Sequence, residues 1–163
     1  MALQYNADEL FEIAEQIERN GAKFYEKAAD ITKEEKGKEL LLTLASWETQ
    51  HEKLFSMMRD SLSTKDKAKA LADRDDQAVK YLQAVADTHI FNVREASNIL
   101  QGNENMKDIL DIALGFEKDT IVFFLAMKEL VPKSLGKDKV DGILGEEMHH
   151  VQIISEHIKA LPR

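Results

Sequence analysis

The chain has 163 residues, the length of one ordinary domain, and 44% of them are hydrophobic and 32% are charged. Only two prolines and seven glycines occur, a composition that is typical of a helix-rich globular protein. The net charge of −8, with no basic stripe, disfavours nucleic acid or an anionic membrane surface as a partner.

Cysteine is absent, which excludes disulfides, iron–sulfur clusters and Cys-ligated zinc or rubredoxin-type sites within the chain. No N-terminal segment has the order of a signal peptide, and no apolar run approaches the roughly 20 residues of a membrane span. We therefore expect a cytoplasmic protein with no membrane partner.

Capping patterns and helical periodicity predict four long helices. The first three each follow an Asn or Thr that has an acidic residue three positions later. These pairs are Asn6/Glu9, Thr32/Glu35 and Asn105/Asp108. Pro132 ends the third helix. The predicted helices span residues 7–31, 33–62, 107–131 and 135–161.

Residues 63–106 differ in character from the long helices on either side. A polar stretch at 63–66 precedes a shorter helical stretch near 76–87, and another is predicted near 93–101. His89 has no carboxylate three residues before it, so we interpret it as structural. We interpret the whole segment as a crossover.

Two helical hairpins joined by a long, partly helical crossover have the connectivity of ferritin-like bundles. At about 1.5 Å per residue, the legs from Glu18 to the first turn and back to Glu48 are each roughly 20 Å, so these glutamates end side by side. Glu117 and Glu147 flank the second turn in the same way. We predict an all-α, antiparallel four-helix bundle that forms a single domain over residues 1–163.

A Glu-x-x-His pattern occurs twice, 99 residues apart, and each copy follows another glutamate by thirty residues. Residues three apart lie on the same face of a helix, so each pair points both side chains at one place. The two sets are Glu18, Glu48 and His51, and Glu117, Glu147 and His150. Four carboxylates and two imidazoles with duplicated spacing are the ligand set of a two-metal site.

The second copy is ambiguous when it is read alone, because Glu146 and His149 have the same spacing as Glu147 and His150. The 99-residue offset decides between them, since it pairs Glu147 with Glu48 and matches apolar positions with apolar positions along both hairpins. We therefore assign Glu147 and His150 to the site and place Glu146 and His149 on a neighbouring face.

Metal binding explains why glutamates lie in apolar stripes. Burying an ionised carboxylate costs several kcal/mol unless it is paired or binds a cation. Oxygen and imidazole ligands without thiolate suit iron or manganese, with zinc also acceptable and copper disfavoured. Six ligands for two metals leave coordination positions open for O₂ or peroxide. The alternative is a metal-free bundle descended from a metal-binding one.

Tyr25 lies two helical turns after Glu18 on the same face, and Phe124 is its equivalent 99 residues later. One interpretation is a core aromatic residue whose hydroxyl finds a partner. The other is a catalytic role, in which the hydroxyl donates a hydrogen bond to a terminal carboxylate or to a bound oxygen species. In that case the two metals are inequivalent. Trp47 is interpreted as core packing.

These motifs resemble those of the rubrerythrin branch of the ferritin-like superfamily. The resemblance spans nearly the whole chain and rests on residues 17–25, Glu48-Thr49-Gln50-His51, Glu117 and Glu147-Met148-His149-His150. It implies a centre of two iron ions bound by the six residues above, with manganese or zinc as substitutes, that reacts with hydrogen peroxide or O₂. It also implies a homodimer with a role in oxidative stress.

Two features depart from that family. Rubrerythrins carry a Cys-ligated rubredoxin domain, which is absent here, so electrons must come from an external electron-donor protein. They also have a second glutamate one turn after the ligand of the third helix, where this chain has Thr120. We expect a di-iron oxidoreductase with peroxidase-like or ferroxidase-like activity. The alternative is a non-catalytic iron-binding or iron-handling bundle.

Overall fold

The computed structural model describes residues 5–71, 76–88 and 96–163, and this part of the chain is helical with no β-strand. The α-helices are α1 (Ala7–Ile31), α2 (Glu35–Asp60), α3 (Thr64–Ala68), α4 (Gln77–Thr88), α5 (Met106–Leu130) and α6 (Lys137–Ala160). Two 3-10 turns span Ala96–Ile99 and Lys133–Leu135. The prediction of an all-α bundle is confirmed.

Two antiparallel hairpins build the bundle. Helix α1 packs along α2, α5 packs along α6, and α1 also contacts α5. Between the hairpins, α4 packs against α5, and the turn Ala96–Ile99 packs against α1. Within the described ranges, no helix is long and apolar enough to cross a membrane.

Capping side chains begin the helices, as the sequence predicts at two of three positions. Asn6 and Asn105 each accept a hydrogen bond from the backbone three residues later and form complete capping boxes. The prediction that Thr32 caps the second helix is wrong. Its hydroxyl donates to the carbonyl of Ala28, at the end of α1, and Glu34 caps α2 instead. Helix α2 therefore begins two residues later than predicted.

The crossover is more ordered at its start than its polar composition indicates. Ser63 and Asp66 form a capping box that begins the short helix α3. The backbone N–H of Leu71 then donates to the carbonyl of Tyr5, which ties the crossover to the start of the chain's first helix. Helix α4 agrees with the prediction near 76–87, whereas His89 lies outside the described residues.

The turn between α5 and α6 sets the start of the last helix. Pro132 precedes the 3-10 turn, and Gly136 then adopts a left-handed backbone with φ of 110°. An L side chain rarely adopts this conformation, so glycine suits the position. Helix α6 consequently begins at Lys137, two residues later than the predicted start at 135.

The apolar core consists of two clusters, one toward each end of the bundle. One includes Leu10, Phe11, Phe55, Phe124, Met127 and Leu144. The other includes Phe24, Leu41, Leu44, Leu110, Ala113 and Ile154. On each of the four long helices, the residues of the two clusters are separated by the predicted metal ligands. A polar layer therefore lies between two apolar ones.

We expect Gly136→Ala to lower the free energy of unfolding. The alanine would have to adopt the left-handed conformation, which costs roughly 1–2 kcal/mol, and its Cβ would lie 2.6 Å from Cε of Met58. Gly102→Ala is the matched control, because Gly102 has φ of 100° but an added Cβ would meet nothing within 4 Å. Chemical denaturation should show a loss for both variants and at most a modestly larger one for Gly136→Ala, because Cε of Met58 ends a flexible side chain that can shift. No loss for Gly136→Ala would contradict the strain of the left-handed backbone.

Candidate metal centre

All six predicted ligands lie together between the two apolar clusters. Helix α1 contributes Glu18, α2 contributes Glu48 and His51, α5 contributes Glu117, and α6 contributes Glu147 and His150. Each is at most 4% exposed. Burial of four carboxylates at one level is costly unless positive charge balances them.

Helical spacing and one glycine bring the side chains together. The three-residue spacing on α2 and on α6 places each glutamate and its histidine on the inner face. Gly21, on α1, lets Glu48 approach closely, because a Cβ at Gly21 would lie only 3.0 Å from Oε2 of Glu48. A small residue at this position therefore leaves room for the shared carboxylate.

The six residues form two overlapping groups whose ligand atoms lie within 4.8 Å of one another. Glu48 and Glu147 belong to both groups, whereas each of the other four residues belongs to one. The first group adds Glu18 and His51, and the second adds Glu117 and His150. This is the geometry of two adjacent cation sites with two shared carboxylates.

Both imidazole rings direct Nδ1 at the carboxylates. Nδ1 of His51 lies 2.7 Å from Oε1 of Glu147 and 3.6 Å from Oε2 of Glu18. Nδ1 of His150 lies 3.2 Å from Oε1 of Glu48 and 3.2 Å from Oε2 of Glu147. None of these contacts is a hydrogen bond. The nitrogens and oxygens instead converge on common points.

Seven buried atoms of the cluster have no hydrogen-bond partner within the described part of the chain. They are both carboxylate oxygens of Glu18, Oε1 of Glu48, both carboxylate oxygens of Glu147 and the Nδ1 atoms of His51 and His150. Buried polar atoms are almost always hydrogen-bonded. Unpaired ligand atoms that converge in this way fit two divalent cations.

Burial shifts the protonation of three of the carboxyl groups toward the neutral form. It raises the pKa of Glu18 and Glu48 well above the usual range, and the charges of neighbouring carboxylates raise both further. It also raises the pKa of Glu117 to about 7, against the opposing effect of His150. Burial therefore favours the protonated form of carboxyl groups that would bind a cation.

The fourth carboxyl group, that of Glu147, and the two imidazoles instead favour their charged forms. Burial disfavours the charge on Glu147, but the close rings of His150 and His51 outweigh it and lower the pKa to about 2. Burial likewise disfavours charge on the imidazoles, but the facing carboxylates outweigh it. The resulting pKa is about 9 for His51, beside Glu147 and Glu146, and about 11 for His150, beside Glu117.

The hydroxyl of Tyr25 donates a hydrogen bond to Oε1 of Glu117. Tyr25 is buried, and its burial and the nearby charge of Glu117 raise its pKa well above the usual range, so the phenol stays protonated. The sequence leaves open whether Tyr25 is a core residue or a donor to a terminal carboxylate. It is both, since its ring also packs in the apolar cluster that contains Phe24.

Two residues next to the ligands have roles that the sequence does not predict. Oε2 of Glu146 lies 2.5 Å from Nε2 of His51, although we place Glu146 on a neighbouring face. Trp47 is half-buried and packs against the apolar cluster that contains Phe24, as predicted, and its ring also stacks on His150 with centroids 5.1 Å apart and planes 11° apart. The 99-residue offset relates these two positions, which is the one available signal.

Two other residues lie outside the cluster. His149 is exposed on α6 and is absent from both groups of potential ligands, in agreement with the assignment of His150. Thr120 is half-buried one turn after Glu117 and adds no carboxylate there.

Comparison with known proteins supports the architecture. No family model and no curated protein sequence matches the chain. Among solved structures, it is similar to a protein of Thermotoga maritima that is provisionally described as a ferritin-like diiron-carboxylate protein. The sequence identity is 19%, the alignment covers 96% of this chain and 97% of that chain, and the TM-score is 0.69. At this identity the similarity shows the fold, so the protein has a ferritin-like fold.

We expect cation binding to release protons and to strengthen as pH rises. His51 and His150 both hold a proton at neutral pH, since their pKa values are about 9 and about 11, and each must lose it to bind a metal. The raised pKa values of Glu18 and Glu48 act in the same direction. Titration with Co²⁺ at about pH 6 and about pH 8 should show tighter binding at the higher pH. Equal affinities would contradict these protonation states.

Removal of the two shared carboxylates should abolish binding. We expect the double variant Glu48→Gln, Glu147→Gln to retain no metal, because each glutamine keeps the shape but loses the charge that both sites share. The control exchanges two exposed glutamates on the same two helices, Glu39→Gln with Glu156→Gln. Metal content after gel filtration is the measurement, and unchanged content in the first double variant would refute the site assignment.

Proposed function

We propose that the protein is a di-iron carboxylate redox protein that reacts with hydrogen peroxide or O₂. The observation that carries this proposal is the pair of buried, overlapping ligand groups that share Glu48 and Glu147. Surface acidic clusters are common and are satisfied by water, whereas these carboxylates are buried and largely unpaired. The description of the Thermotoga maritima protein as a diiron-carboxylate protein supports the same proposal.

Iron fits the chemistry of the donor set. Four carboxylates and two neutral imidazoles carry a charge of about −4, which two divalent cations balance. Oxygen and nitrogen donors without thiolate are typical of iron and manganese sites, and zinc is acceptable as a substitute. Glu18 and His51 would hold one ion, Glu117 and His150 would hold the other, and Glu48 and Glu147 belong to both groups.

Two ferrous ions held by these residues would supply the two electrons that, together with two protons, reduce hydrogen peroxide to water or O₂ to hydrogen peroxide. The protein's own residues would hold a proton near the centre and exclude bulk water from it. Tyr25 holds a hydroxyl proton at Oε1 of Glu117, one of the proposed ligands, and could donate that proton during the reaction. The apolar clusters on both sides exclude bulk water from the centre. We expect an external protein to return the iron to the ferrous state, because this sequence holds no cysteine for a thiolate-ligated relay.

The test is oxidation of the iron-loaded protein by peroxide. Protein purified without oxygen and loaded with two ferrous ions per chain should oxidise rapidly, with one peroxide consumed per two iron ions. Ferrous chelation and a peroxide assay follow both reactants, and O₂ replaces peroxide in a parallel experiment. The variant Glu48→Gln, Glu147→Gln is the control for free iron.

Two outcomes would contradict the proposal in different ways. Iron that binds but oxidises no faster than free ferrous ion would favour the non-catalytic, iron-handling alternative. Failure to bind iron, manganese or zinc at all would refute the metal site itself.

A further inference from the structure

The environments of the two histidines differ at residues that the repeat makes equivalent. Position 47 plus 99 is position 146, so Trp47 and Glu146 occupy corresponding places in the two hairpins. Glu146 contacts His51 of the other hairpin, and Trp47 contacts His150 of the other hairpin. One imidazole therefore has a carboxylate as its outer neighbour, and the other has an indole.

The carboxylate of Glu146 makes His51 the stronger ligand. Oε2 of Glu146 lies 2.5 Å from Nε2, so a neutral His51 ring would hold its one proton on Nε2, toward Glu146, and leave the Nδ1 lone pair toward Glu18 and Glu147. Carboxylates that accept the outer N–H of an imidazole fix its orientation and raise its basicity toward a metal.

His150 has no such support. Its ring stacks between Trp47 and His51, whose ring centroids lie 5.1 Å and 5.5 Å away. Within the described residues, the ion-pair contacts of His150 with Glu48, Glu117 and Glu147 all involve Nδ1, on the side of the proposed ligands. Stacking orients the ring, but the indole adds no negative charge to it.

Glu18 and Glu117, the two carboxylates that each belong to only one group, also differ in strength as ligands, and the difference again favours the half with His51. Oε1 of Glu117 accepts a hydrogen bond from the hydroxyl of Tyr25, and that hydrogen bond weakens this oxygen as a metal ligand. Neither oxygen of Glu18 accepts a hydrogen bond from the described residues. Phe124, the repeat equivalent of Tyr25, has no hydroxyl to donate. Glu18, the stronger carboxylate ligand, therefore lies in the same half as His51, the stronger imidazole ligand.

We propose that the two halves of the centre bind cations with unequal affinity and that Glu146 is the positioning residue that sets the difference. The half with Glu18 and His51 fills first. The half with Glu117 and His150 fills second and is the one whose ion exchanges with solution. This inference rests on the proposed metal site, and it assigns an order of filling and a role to Glu146 that the repeated ligand pattern does not contain.

Titration calorimetry with Co²⁺, combined with its visible absorption, tests the proposal without any turnover. The wild-type protein should bind two ions per chain in two resolved steps. Glu146→Gln should weaken the first step by about tenfold, at the lower end of the range for such partners because Glu146 is largely exposed. The second step should change little. Glu156→Gln, an exposed site on the same helix, is the control for loss of one charge.

A second variant has the opposite expected effect. Tyr25→Phe removes the hydrogen bond to Glu117, so the second step should tighten by about fivefold or less, while the first stays unchanged. A variant that simply disturbed folding would weaken both steps and lower the thermal stability of the unloaded protein, which is measured in parallel.

The outcomes separate this proposal from the proposed function. Two indistinguishable binding steps in the wild type, or a Glu146→Gln variant that weakens both steps equally, would overturn the unequal halves and leave the metal centre intact. Absence of Co²⁺, Fe²⁺ and Zn²⁺ binding would refute the metal centre, and the proposal would fall with it.

Discussion

The burial of four glutamates at one level of a helical bundle is the constraint on which the rest of the structure depends. An apolar core with the same helices would need no repeated Glu-x-x-His spacing and no glycine opposite Glu48. The chain places apolar clusters above and below the polar layer, so the layer is closed to water from both ends. Protons alone compensate the carboxylates poorly, since seven ligand atoms lack hydrogen bonds within the described residues. Two divalent cations would satisfy charge and geometry together.

The repeat produces two equivalent sets of ligands in surroundings that are not equivalent. Single substitutions between the hairpins account for this: Tyr25 stands where the other hairpin has Phe124, and Glu146 stands where it has Trp47. Tyr25, Glu146 and Trp47 each contact a proposed ligand on another helix. Phe124 has no polar group with which to do the same as Tyr25. The asymmetry therefore lies around the ligands and leaves the ligands themselves unchanged. Unequal surroundings allow two identical ligand sets to perform different tasks.

Residue spacing within the helices, the lengths of the hairpin legs and the 99-residue repeat were sufficient to predict the bundle, the capping boxes at Asn6 and Asn105, and the six residues that meet in the polar layer. These patterns could not predict which side chains contact one another across different helices. Glu146 and Trp47 approach histidines of the opposite hairpin, and the rotation of each helix determines which neighbour they reach. The sequence pattern also did not predict where α2 and α6 begin. The hydroxyl of Thr32 donates to a carbonyl of the preceding helix, and the left-handed backbone of Gly136 makes the last helix begin later.

Anomalous diffraction at the iron edge from crystals of the anaerobically loaded protein tests the central claim most directly. The account predicts two iron peaks within the polar layer, both in contact with Glu48 and Glu147. One peak should lie beside Glu18 and His51, and its partner should lie on the opposite side of the shared carboxylates. Iron bound only at exposed acidic residues, or no ordered iron in the layer, would contradict the assignment of the buried glutamates as metal ligands.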